Sequence, residues 1–269
     1  MSHSTPSESS ITATSVRPTH LTLLDIGIDP LTRAQTVDRL LQLAATGRGA
    51  VALYANAHVL NLARRDATLR AQLHAADVVL ADGQSVVWAA RWSGQPLPER
   101  VSVGDIEEAF FTRAHQQGRR LFLIGGRPGV AERAAERLGK RWPGFVVGTH
   151  HGYFALDEET ALAQTITERQ PDIVIVGMGS PKQESWALRQ RDVRPVRLLW
   201  CAGAAIERWA GDEPPTPQWL QRSGGEWLYR LCRHPRRFWR RYLVGLPLFA
   251  GRAVVWGWRM RRGHRTIRP

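Results

Sequence analysis

The chain has 269 residues, a formal net charge of +13 and a sequence pI near 11.2, which calls for an anionic partner: nucleic acid, anionic lipid or a phosphorylated substrate. Its length is sufficient for one large domain, or one domain with an appendage. Two cysteines, Cys201 and Cys232, exclude a disulfide-stapled fold and offer no metal-binding spacing, so both are expected as buried or half-buried thiols.

Residues 1–20 are rich in Ser, Thr and Pro and lack the apolar core of a signal peptide, which predicts a disordered leader. From residue 21 onward, short apolar runs alternate with longer amphipathic ones. Strands are predicted over 21–28, 50–55, 76–81, 120–124, 145–149, 172–176 and 197–202. Helices are predicted over 31–45, 59–74, 83–92, 105–117, 130–141, 157–168 and 182–190. This alternation specifies an α/β fold: a Rossmann-like, mostly parallel sheet with helices on both faces. In such sheets ligands gather at the carboxyl ends of the strands.

After Trp209 the pattern changes. A Pro-rich break over 212–217 is followed by helical patterning only, over 218–232, 235–244 and 247–260. The expected division is a leader (1–20), an α/β body (21–211) and a basic helical appendage (212–269). Beyond Glu226 there is no acidic residue, whereas twelve arginines occur, interleaved with Trp, Phe, Tyr and Leu. A cationic and apolar tail suits an anionic membrane surface or a diphosphate. The run 242–258 contains Arg252, Pro247 and three glycines, so a peripheral protein is expected rather than a membrane-spanning one. Arginine with interleaved aromatics also suits nucleic acid, but that reading leaves the polar groups at the strand ends without a role.

Those strand-end groups carry the chemistry. Asp82, in Ala81-Asp-Gly83, sits where a sheet of this class places catalytic groups, but from position alone it reads first as a helix cap. Asn56, in Tyr54-Ala-Asn-Ala-His58, offers a donor and an acceptor to a sugar hydroxyl. Gly125 and Gly126 lie in a strand–turn–helix start that can hold phosphate or simply turn tightly. In Gly148-Thr-His-His-Gly-Tyr-Phe154, adjacent strand histidines point to opposite faces and make a poor metal pair, while Tyr153 can stack on a base. Lys182 and Gln183 open a helix after Gly177-Met-Gly-Ser-Pro181, where a phosphate or sugar would lie. No Asp-x-Asp pair occurs to hold a divalent metal, so leaving-group charge falls to Lys, Arg and backbone dipoles. No cofactor and no metal site are expected.

Together with Leu97-Pro-Glu-Arg100 and Glu226-Trp-Leu-Tyr-Arg230, these motifs form a collinear series that resembles the WecG/TagA/CpsF glycosyltransferases (glycosyltransferase family 26) over about residues 20–250. The resemblance implies an inverting, metal-independent enzyme. It would move a sugar from a UDP donor to a polyprenyl-diphosphate-linked sugar at the cytoplasmic membrane face, with no nucleic acid involved. It further implies Asp82 as general base, with Asn56 in the same pocket and Tyr153 and Gln183 at the nucleotide-sugar site. Arg230, Arg237 and Arg240 would reach over from the tail to meet the diphosphate. The chain departs from the family pattern at Tyr54, where Thr is common, and at Glu207, where Asp is common. It departs again at Pro215, which replaces an Arg. These departures bear on sugar specificity more than on reaction type. The tail and the altered motifs resemble members that add a β-1,4-linked glucose in xanthan-type exopolysaccharide assembly. N-acetylmannosaminyl transfer, or transfer of its uronic acid, is the alternative.

Overall fold

The computed structural model describes residues 20–155, 157–191, 196–213, 216, 220 and 224–265; residues 1–19 of the expected leader and half of the Pro-rich break, Pro215 included, lie outside them. A hairpin of β1 (Leu21–Leu23) and β2 (Ile26–Ile28) precedes a six-stranded parallel sheet. Its strands are β3 (Ala50–Ala55), β4 (Val78–Ala81), β5 (Leu121–Gly125), β6 (Val146–His150), β7 (Ile173–Gly177) and β8 (Leu198–Cys201), in the order β4-β3-β8-β7-β5-β6. All pairings within it are parallel.

The strands read as nearly continuous apolar runs because both faces are covered. Period-two alternation sends Val51, Leu53 and Ala55 to one core and Ala52 and Tyr54 to the other. The first core is closed by α2 (Ala57–Ala63), α3 (Ala67–Ala75), α4 (Gln84–Trp92), α7 (Glu158–Arg169) and α8 (Lys182–Gln190). The second is closed by α1 (Arg33–Thr46), α5 (Val103–Gln116), α6 (Val130–Arg141) and α9 (Ala205–Ala210). In the second core Phe110 and Phe111 meet Trp200 edge-on, with ring centroids 4.9 and 6.5 Å apart.

The neighbouring strands β3 and β8 send their following helices, α2 and α9, to opposite faces. Strand order reverses at this seam, which opens a crevice at its carboxyl end. The expected α/β architecture is therefore present, and the sequence reading differs from it in local boundaries. The predicted single strand over 21–28 is a hairpin, because Leu24 and Asp25 adopt positive φ (52° and 67°) and turn the chain back within two residues. The predicted helix over 59–74 breaks where the Asp66 carboxylate accepts the Leu69 N–H at 3.0 Å and starts α3.

The tail forms α10 (Glu226–Arg233), α11 (Pro235–Trp239), a π-helical turn (Arg240–Val244) and α12 (Gly245–Arg265). Cys232 is exposed on α10, contrary to the buried thiol expected, because this short helix buries none of its residues; Cys201 is buried as expected. Helix α12 packs on α2 and α4 and delivers Phe249 and Ala253 into the first core. The Asn61 side chain fastens it by donating to the Gly245 carbonyl at 2.7 Å and accepting from the Arg252 guanidinium at 2.6 Å.

Candidate active site

A cleft of about 1460 Å³ opens at the carboxyl ends of the strands, with the tail as one wall. Asp82, one residue beyond β4, lies on its floor. Its carboxylate does not cap α4. Gly83 holds the N-cap position with φ 93°, and no side chain bonds to the helix start. The carboxylate instead accepts from Asn56 Nδ2 at 3.3 Å. Asn56 caps α2, with its Oδ1 accepting the Val59 N–H at 3.0 Å; that bond fixes which way the amide faces and turns its N–H₂ toward Asp82. Burial pushes the Asp82 carboxyl above its ordinary range, and Glu226 adds to the rise. Arg230, the Asn56 hydrogen bond and Arg241 oppose it. The His58 imidazole, on the second residue of α2, is lowered to about 4 by burial and by Arg241, so it is neutral at physiological pH.

Other strand ends complete the wall. Tyr54 is buried beneath the cleft, and its hydroxyl accepts from Trp200 Nε1 at 3.3 Å. Gln183 is buried and spans two segments: its Oε1 accepts the Gly203 N–H at 3.2 Å, and its Nε2 donates to Glu184 at 3.0 Å. Lys182 donates to the Gly152 carbonyl at 2.8 Å and lies 4.9 Å from the Phe154 ring centroid, which holds a cation at the cleft edge. Tyr153 projects from the rim, 66% exposed and free to stack. Gly126 lines the cleft with φ 71°. Gly125 has a packing reason: a Cβ there would stand 2.5 Å from the Gly177 carbonyl oxygen on the neighbouring strand.

The tail supplies charge from above. Arg230 pairs with Glu226 at 2.6 Å, and Glu226 also accepts from Arg100 at 3.2 Å. Arg100 in turn pairs with Asp105 at 2.8 Å, so a chain of ion pairs ties α10 to the body. Arg237 approaches Glu207 at 3.6 Å and Glu213 at 3.7 Å. Burial raises the Glu207 carboxyl, and Arg237 draws it back down. Arg240 is exposed, stacked 5.1 Å from the Trp239 ring centroid and outside the lining; Arg241 lines the cleft instead.

A carboxylate held by an amide on a switch-point floor, glycine-rich strand ends and a wall of arginines make a cleft whose chemistry suits polar, anionic ligands. The profile of the glycosyl transferase WecG/TagA/CpsF family matches residues 21–263, spanning both body and tail. The chain belongs to the WecG/TagA/CpsF glycosyltransferase family. In this glycosyltransferase, no group of three or more His, Cys, Asp or Glu side chains among the described residues is placed to hold a metal ion. The candidate site also includes groups that the sequence does not single out. Arg100 and Glu226 were visible within the motifs Leu97-Pro-Glu-Arg100 and Glu226-Trp-Leu-Tyr-Arg230, but their pairing across 126 positions was not. Arg241 had no signal separating it from Arg240.

Proposed function

We propose that this glycosyltransferase moves a hexose, with inversion, from a UDP-sugar to a polyprenyl-diphosphate-linked sugar in exopolysaccharide synthesis. UDP-glucose and a β-1,4 linkage are the favoured donor and product. The observation that carries the reading is Asp82: a carboxylate on the cleft floor, oriented by Asn56 and overlooked by tail arginines. In the proposed displacement Asp82 takes the proton of the acceptor hydroxyl as that oxygen bonds to the anomeric carbon. The bond from that carbon to the UDP oxygen breaks, and UDP leaves with the electron pair. A carboxylate whose pKa is raised holds a proton better once it has taken it, which suits a base. Lys182, the backbone N–H groups of the Gly177–Gln183 turn and the tail arginines are suited to receive the charge on UDP. Tyr153 and Gln183 are suited to the nucleotide, with Glu207 at the donor side.

The residues of the body (21–211) would perform the chemistry, and the basic tail (212–269) would meet a membrane from its cytoplasmic face. No helix among the described residues is long and apolar enough to cross a membrane. Trp88, Trp92, Trp239 and Trp258 are each between 44% and 58% exposed, which supports peripheral contact. The test is transfer to a synthetic polyprenyl-diphosphate-glucose from a panel of UDP-sugars, with chelator present. A β-1,4 disaccharide formed from UDP-glucose supports the reading. Transfer only of N-acetylmannosamine, or of its uronic acid, moves the assignment to that donor. Absence of transfer from every donor contradicts it.

A further inference from the structure

Among the described residues, four tryptophans line the cleft: Trp88, Trp92, Trp209 and Trp227. Three of them have partners. Trp209 is buried and meets Phe111 edge-on, with ring centroids 5.1 Å apart. Trp227 lies 6.2 Å from the Tyr242 centroid, and Trp92 carries the Arg261 guanidinium 4.7 Å from its own. Trp88 is 58% exposed, and no ring or cation of the described residues stacks on it. A bare indole in a polar cleft leaves apolar surface in water, which a ligand with an apolar face would cover. Trp88 stands on α4, the helix that starts directly after Asp82 and Gly83. Gln84, the first residue of α4, also lines the cleft; it lies four positions earlier on the same helix face, about 6 Å along the axis. Gly224 lets the tail come close to the ring: its φ is 76°, and a Cβ there would stand 3.3 Å from the indole. Carboxylate, amide and aromatic ring thus follow one another along one wall.

We propose that Trp88 is the stacking platform for the acceptor sugar: the pyranose lies with its C–H face on the indole while one hydroxyl is turned to Asp82. This rests on the reading of the acceptor as a lipid-linked sugar and of Asp82 as its base. A pyranose matches the wall because it is two-natured. Its ring C–H groups form an apolar patch, which an aromatic face covers. Its hydroxyls lie around the edge, where the Gln84 amide offers a donor and an acceptor and Asp82 takes the hydroxyl that reacts. Sheet order assigns the platform to the acceptor rather than the donor. Asp82 and α4 follow β4, whereas Lys182 and Gln183 follow β7 and Gly126 follows β5. With β3 and β8 between them, β4 and β7 are three strand spacings apart, about 14 Å. A nucleotide held at the β5 and β7 ends therefore leaves the β4 end to the second substrate.

The experiment uses the full-length protein and geranyl-diphosphate-glucose, an acceptor short enough to work without a membrane. Two variants are compared with wild type: Trp88→Leu, which keeps an apolar side chain but no ring, and Trp88→Tyr, which keeps a ring. Circular dichroism and melting verify folding. In steady-state transfer Trp88→Leu is expected to raise the acceptor KM about tenfold and to leave the UDP-glucose KM within about twofold. Trp88→Tyr is expected to stay within about threefold of wild type for both. Saturation-transfer NMR with UDP present reads binding without turnover: the pyranose protons should receive saturation in wild type and Trp88→Tyr and lose it in Trp88→Leu. A Trp88→Leu acceptor KM equal to wild type overturns the inference, as does a rise in the UDP-glucose KM instead, which would make Trp88 a nucleotide platform. A fall in vesicle sedimentation with both KM values unchanged also overturns it and leaves Trp88 to the membrane alone. So does wild type that shows no saturation of the pyranose. Transfer by wild type with unchanged NMR in Trp88→Leu sinks this assignment alone. The expected NMR pattern with no transfer from any donor leaves the platform standing and sinks the functional reading.

Discussion

Asp82 owes its position to three neighbours: Gly83, which takes the cap position with a backbone few other residues tolerate, Asn56, which orients it, and Glu226, which keeps its proton affinity high. A base works only when ionised, so the rate of transfer should fall as pH drops through the Asp82 pKa. Because that pKa is raised, the acid limb should lie above the ordinary carboxylate value of about 4. Asn56 donates to the charged form and opposes the rise; Asn56→Ala should therefore move the limb to still higher pH, and a shift to lower pH in the kcat profile would contradict the assignment. The same burial has a stability consequence. With its folded pKa above the unfolded one, Asp82 binds its proton more tightly in the native state, so stability falls as pH rises through that interval. Asp82→Asn removes this cost, and its Tm at pH 7 should equal or exceed that of wild type, as is common when an active-site group is relieved. A clear drop in a calorimetric scan would show that the carboxylate is structural. The sequence displayed Asp82 at a strand end but favoured a helix cap there; that the carboxylate does not cap α4 depends on the positive φ of Gly83 and on Asn56, the cap of α2, neither of which local pattern shows.

The alternation of apolar runs and amphipathic segments made nearly every strand and helix of the body legible, since both follow from local periodicity. Its failures were at places decided by single residues: Leu24 and Asp25 turning a strand into a hairpin, and Asp66 starting a new helix. The tail was legible as helical but not as a structural part of the core. Phe249, 2% exposed, fills the face between α2 and α4, so α12 closes the first core as well as lining the cleft. Phe249→Ala should therefore cost about 3–5 kcal/mol in urea unfolding, the usual range for a buried Phe. A cost below about 1 kcal/mol would mean that the tail rests on a body that is stable without it. The π turn could not be foreseen, because its sequence, Arg-Arg-Tyr-Leu-Val, fits an α-helix equally well.

The whole molecule is polarised. A parallel sheet opens its candidate site at the carboxyl end of its strands, and the tail brings Arg230, Arg233, Arg237, Arg241 and Trp227 to the same cleft. The composition announced this through the charge of +13 and the absence of acids after Glu226. It did not show that the same segment would form a wall of the site, which required contacts such as Arg100 with Glu226. Attraction of this kind is screened by salt and is worth about 1 kcal/mol per basic residue near an anionic surface. Sedimentation with vesicles should accordingly rise with their content of anionic lipid and fall as salt is raised. Binding indifferent to both would argue against a membrane role for the tail.

The central claim is that Asp82 is the base of a sugar-transfer reaction, and the rate of the chemical step tests it most directly. Single-turnover transfer from UDP-glucose to polyprenyl-diphosphate-glucose should be compared between wild type and Asp82→Asn at neutral pH, with folding verified. The account predicts a fall of about 10²–10⁴-fold, the usual contribution of a positioned base. A folded Asp82→Asn enzyme that transfers at the wild-type rate would contradict it.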